Sequence, residues 1–188
     1  MTTPNQFDEV LRAVGHALSV WSAVELELSD LFTALADPMP EDRACGIFDA
    51  VVSLEIRLTL VDKLMELEGL PDVEACMWGK ISDRITKAYK KRRHPLAHFT
   101  LVSPDARNLG IAPFLTNDKI RSKDYKILKT LDIDASKAHF SKLAEGITWF
   151  KNQVRARRRF GTGTPPFGAD PPLIAEMRLL AAESLAKS

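Results

Sequence analysis

The chain has 188 residues, 45% of them hydrophobic, with two cysteines and a net charge of +1. That length fits one domain with a small appendage, and the apolar content is enough for a real core. No apolar run approaches the roughly 18 residues that a membrane span needs. The polar, acidic start MTTPNQFDEV does not read as a secretory signal, and Cys45 and Cys76, both in apolar helical stretches, read as two buried thiols of a cytoplasmic protein.

The small net charge hides an asymmetry. Residues 1–75 hold 4 Lys/Arg (Arg12, Arg43, Arg57, Lys63) against 15 Asp/Glu, which leaves 22 against 10 in residues 76–188. Two readings follow: a basic region that attracts phosphates, or acidic and basic elements that face each other within the fold or across a dimer.

Thr3-Pro4-Asn5-Gln6 predicts a helix start, with Thr3 as cap, Pro4 at the first helical position and Gln6 closing a capping box. The apolar stripe Leu11, Val14, Leu18, Trp21, Leu28, Phe32, Leu35 follows at helical spacing, and Pro38 and Pro40 set the end near Ala36. The step after Trp21 lands on Glu25, a carboxylate in an apolar seam, which calls for a basic partner or for a slight rotation that brings it to the rim. A second helix is predicted over 41–68 (Ile47, Val51, Leu54, Leu58, Val61, Met65, widened by Phe48, Val52 and Leu64), stopped by Gly69 and restarted by Pro71. A third runs over 72–93 with Met77, Trp78, Ile81, Ile85, Ala88 and Tyr89 inward, ending in Lys90-Lys91-Arg92-Arg93, cations that suit a helix C-terminus.

From Phe99 the periodicity changes. Phe99–Val102 and Leu109–Ala112 flank a turn-forming stretch, which predicts a short hairpin. A basic stretch follows (Lys119, Arg121, Lys123, Lys126, Lys129). Helix returns near Asp134 with Phe140, Leu143, Ile147, Phe150 and Val154 on one face, and ends in Arg155-Ala156-Arg157-Arg158-Arg159. Residues 161–166 read as a Gly/Pro linker, and the tail from Pro171 as an amphipathic helix (Leu173, Ile174, Met177, Leu180, Ala181) too short to stand alone. The expectation is an all-α fold: a four-to-five-helix bundle over residues 1–160 with a small β-hairpin insertion, then the linker and C-terminal helix over 161–188.

The segment Arg93-His94-Pro95-Leu96-Ala97-His98 is the candidate site. Pro95 should push His94 out of helical geometry and present one guanidinium and two imidazoles at an element end. Arginine suits bidentate phosphate contact, and imidazole can give and take protons near neutral pH. His94 and His98 read poorly as a metal pair, because no further donor stands at a supporting spacing; no metal or other cofactor is expected.

This segment resembles the Arg-polar-x-x-x-His motif of the HEPN superfamily, often seen as Arg-Asn-x-Leu-Ala-His. Arg93 matches the arginine, His94 the polar position, Leu96-Ala97 the apolar pair and His98 the histidine, and the helical order over roughly residues 8–155 is similar to the family's bundle. Pro95 stands where a flexible or polar residue is usual. Thr100 stands where a toxin branch carries Tyr, which argues against a toxin-type role with a nucleotidyltransferase partner. The resemblance implies a homodimeric RNA-binding protein and metal-independent endoribonuclease with two motifs meeting in one basic cleft. His98 would then be the acid/base, Arg93 the phosphate anchor, His94 their support, and Glu25 a positioning partner of Arg93. Lys87, Lys90, Lys91, Arg92, Arg155, Arg157 and Arg158 would be the RNA-binding cations. The alternative is a non-catalytic helical scaffold or protein-interaction module.

Overall fold

The computed structural model describes residues 4–105, 108–113, 128–161 and 170–187. It is predominantly helical, with α1 Pro4–Ala36, α2 Glu41–Ala50, α3 Leu54–Glu68, α4 Asp72–Ala88, a π-helical turn Tyr89–Arg93, α5 His94–Ala97, α6 Thr130–Phe160 and α7 Pro172–Leu185. Between α5 and α6, β1 Phe99–Asp105 and β2 Asn108–Pro113 pair antiparallel, Phe99 opposite Pro113 and Leu101 opposite Ile111, with a shift of register between Val102 and Asp105. The predicted Thr3 cap, the basic residues Lys119, Arg121, Lys123 and Lys126, and linker residues 162–166 lie outside the described residues. No helix among the described residues is long and apolar enough to cross a membrane.

The chain divides into two compact units. The first comprises residues 1–22 and 87–141, the second residues 23–86 and 142–188. In the first, Val10, Val14, Ala17 and Trp21 from α1 are buried, as are Ala88, Leu96, Ile133 and Phe140. The Trp21 ring meets Phe140 edge-on at 5.0 Å and lies 5.9 Å from Tyr89. Aromatic pairs at such separations add a little to their area burial.

In the second unit, Leu28, Phe32, Phe48, Met77, Trp78, Ile81, Phe150 and Val154 are among the buried core. The α1 seam runs Val10, Val14, Ala17, Trp21, Val24, Leu28, Leu31, Leu35, alternating steps of four and three. This corrects the stripe expected from the sequence: the smaller Val10, Ala17 and Val24 fill the seam, Leu11 is 38% exposed, and Glu25 is displaced to a half-buried flank.

The helix expected over 41–68 is broken at residues 51–53. Val51 leaves α2 in an extended conformation, and Ser53 caps α3 by accepting from the Ile56 amide. Arg57 stabilises the break. Its Nε donates to Val51 O at 2.6 Å, a carbonyl at the end of α2, while its guanidinium lies 5.1 Å from the centre of the Phe48 ring. A helix C-terminus otherwise leaves such carbonyls unbonded. Val52 is consequently 96% exposed rather than a core residue. Gly69 ends α3 in the left-handed conformation (φ 65°), the stop that its position predicts.

Charged side chains tie the second-unit helices to one another. Lys151 is buried and donates to Glu27 Oε2 at 2.6 Å and Asp30 Oδ2 at 2.9 Å. Burial alone would lower its pKa; hydrogen bonding and attraction from the two carboxylates outweigh that and raise it. Arg158 donates to Ala34 O, Leu35 O and Asp37 O, closing the C-terminus of α1, and to Glu68 Oε2 at 2.7 Å. Arg157 pairs with Glu74.

The tail helix α7 docks within this unit. Leu173, Ile174, Met177 and Ala181 are buried, Arg84 pairs with Glu176 at 2.5 Å, and Arg178 lies over Trp149. The close approach depends on Gly146 of α6, where an added Cβ would stand 3.0 Å from Leu173 Cδ2 and 3.6 Å from Ile81 Cδ1. We expect Gly146→Leu to lower stability by about 1–3 kcal/mol through overpacking. It should also make α7 the first segment cut in limited proteolysis. Equal protease resistance of variant and wild type would show that α7 is not held by this contact.

Candidate site on the π-helical turn

The chain does not break at Pro95. His94 keeps right-handed helical angles (φ −60°, ψ −46°), and the helix continues to Ala97. The expected ejection of His94 is corrected by the turn that precedes it: the His94 amide bonds Tyr89 O, five residues back, instead of the carbonyl four back. Proline has no N–H to give, and its ring crowds the carbonyl four residues earlier. A wide turn immediately before it eases that crowding without ending the helix, and such π turns recur at functional sites. The helix ends one turn later, where the His98 amide bonds His94 O at 3.1 Å and His98 turns out of helical geometry (φ −128°, ψ 84°).

The result is a compact cluster in the first unit. Leu96 is fully buried and anchors α5. His94 and His98, four residues apart and so on one helix face, are both exposed, with ring centres 4.7 Å apart. Arg93 points differently. Its guanidinium lies 5.4 Å from the centre of the Tyr89 ring, and its Nε is buried without a hydrogen-bond partner. Tyr89 in turn lies against Trp21. Sequence reading placed Tyr89 inward but missed its role as the support beneath Arg93; the signal was their four-residue spacing.

The cations sort into different roles. Lys87, Lys90 and Lys91 are exposed beside the cluster, while half-buried Arg92 donates to Ser136 Oγ at 3.4 Å. Arg155 is exposed in the second unit, whereas Arg157 and Arg158 are engaged by Glu74, Glu68 and the carbonyls that end α1. Arg93, His94 and His98 come together within the first unit, and Glu25 belongs to the second. Among the described residues, no three of His, Cys, Asp and Glu are grouped as metal ligands would be. Cys45 and Cys76 are free thiols and half-buried rather than buried; Cys45 Sγ lies 3.4 Å from Thr33 Oγ1.

Two neighbouring exposed imidazoles can pass a proton in opposite directions to one ligand, and a guanidinium held against an aromatic ring can offer an oriented positive charge. The chain is thus a predominantly helical protein with an arginine–histidine cluster on a π-helical turn. No family profile, curated protein or solved structure matches the chain.

Proposed function

We propose that this is a HEPN-like RNA-binding protein that cleaves RNA without a metal ion, acting as a homodimer through Arg93 and His98. The observation that carries the reading is the gathering of Arg93, His94 and His98 on one turn, with both imidazoles exposed. In the proposed step the ribose 2′ oxygen attacks the adjacent phosphorus, losing its proton to a base, and the bond to the 5′ oxygen breaks as that oxygen gains a proton from an acid. The products are a 2′,3′-cyclic phosphate and a free 5′ hydroxyl. His98 serves as acid/base, His94 supports it, and Arg93 stabilises charge developing on the phosphate. Exposed Lys87, Lys90 and Lys91 attract the backbone, and Arg155 is a further candidate contact.

The experiment is RNA cleavage with EDTA present, comparing wild type with His98→Ala and Arg93→Ala. Wild type should cleave, and each variant should lose about 10²-fold or more in rate while remaining folded, the scale of removing a general acid/base or a charge-stabilising donor. Absence of wild-type cleavage across varied RNAs, or undiminished cleavage by the variants, would overturn the catalytic role. The exposed lysines favour a second reading, an RNA-binding module without catalysis. Its mark would be salt-dependent binding that Lys90→Ala and Lys91→Ala weaken, with no product formed.

A further inference from the structure

A second candidate site lies in the second unit, in the groove between α3 and α4. The cleft holds about 450 Å³, within the ~300–1,000 Å³ typical of small-molecule pockets. Residues at positions 62, 65, 66 and 69 line one side and residues at 75, 78, 79, 82 and 83 the other. Both sets follow helical spacing, so each helix presents one face to the cleft. The space in front of Gly69 and Gly79 is open, since a Cβ added at either would meet nothing within 4 Å. Met65, Leu70 and the Trp78 indole supply apolar surface.

The charged groups lining the cleft are Asp62, Glu66 and Asp83, all acidic. Asp62 is the oriented one. Its Oδ1 accepts from Trp78 Nε1 at 2.7 Å, and the Ser82 hydroxyl also donates to its carboxylate. Trp78 is itself fixed, 4% exposed and edge-on to Phe150 at 5.5 Å. Both direct donors to Asp62 are therefore neutral; Lys63 beside it bonds Glu66 at 2.8 Å, and its charge also acts on Asp62. Burial pushes the Asp62 carboxyl above its ordinary value, against the opposing effect of those hydrogen bonds. Asp62 is thus a half-buried carboxylate whose direct donors are neutral, set beside an aromatic wall.

We propose that this cleft binds a small organic cation, a primary amine on an apolar body, with its ammonium on Asp62 and its body against Trp78, Met65 and Leu70. The carboxylate favours a positive charge, and the apolar lining selects against a bare inorganic ion. This site is independent of the RNA reading, because none of its residues belongs to the Arg93–His98 cluster.

The test is a titration of the full chain with 4-phenylbutylamine and with the neutral 4-phenylbutanol, followed at the Trp78 indole N–H by NMR. Asp62→Asn keeps the size and the acceptor for Trp78, and Gly79→Leu places a side chain in the open cleft. Saturable amine binding is expected, about tenfold weaker for the alcohol and for Asp62→Asn, the scale of one hydrogen bond to a charged group, and abolished in Gly79→Leu with the helical signal intact. No saturable shift, equal binding of the alcohol, or unchanged binding to Asp62→Asn would overturn the proposal. A parallel titration with Nα-acetyl-lysine methylamide separates the source of the cation. Weaker binding than the free amine supports a small-molecule ligand; tighter binding would overturn that and assign the cleft to a lysine side chain of another protein.

Discussion

Arg157→Leu should lower the stability of the second unit by about 3–5 kcal/mol, the usual result of leaving one member of a buried ion pair without its partner. The Arg157 and Glu74 side chains are only 15% and 12% exposed, so water cannot replace the lost guanidinium. The pair itself is not a large net source of stability, because Arg157 also keeps Nη1 buried without a partner, and taking two ions out of water is costly. The double variant Arg157→Leu/Glu74→Leu should therefore recover to within about 1 kcal/mol of wild type, since an apolar pair of similar volume replaces the ions without a stranded charge. Urea denaturation of the four proteins of this cycle measures it. A single variant as stable as wild type, or a double variant as unstable as the single, would show that the pair is solvated in solution.

Trp21→Ala carries the second large effect, a loss of about 3–5 kcal/mol from the first unit. Trp21 is 1% exposed and meets both Phe140 and Tyr89, so truncation opens a cavity bordered by aromatic rings that cannot collapse into it. Trp21→Phe keeps one ring in place and should lose less than half as much. The consequence reaches the candidate site, because Tyr89 is the surface on which the Arg93 guanidinium lies. Near-ultraviolet circular dichroism with chemical denaturation follows both effects. A Trp21→Ala protein as stable as Trp21→Phe would mean that the ring contacts contribute nothing beyond a methyl group at that position.

The long elements were legible because their cores repeat at helical spacing over many residues. Phe140, Leu143, Ile147, Phe150 and Val154 are all fully buried, as their steps imply. The phase of α1 was harder: Val10, Ala17 and Val24 are small and carry weaker signals than Leu11 or Leu18, and reading by size put Glu25 in the seam. The break at Val51 was invisible because its stabiliser is a side chain six residues further on, Arg57. Arg157 and Arg158 looked like spare cations, since their carboxylate partners Glu74 and Glu68 lie 83 and 90 residues away in the chain. The motif residues could be read as a group from their spacing. That they would stay helical through Pro95 could not, because the relief comes from a backbone hydrogen bond across five residues.

That wide turn has a consequence for how the site tolerates change. A π turn holds one residue more than an α turn, so the chain between Tyr89 and His94 carries a built-in surplus of one position. Removing that surplus by a one-residue deletion would return the segment to ordinary pitch with Leu96 and both histidines near their present faces, but it would restore the crowding of the proline ring on the carbonyl four residues before it. Length in this short segment is thus more tightly constrained than the identity of its exposed lysines, because the extra residue is what lets the helix run on through Pro95.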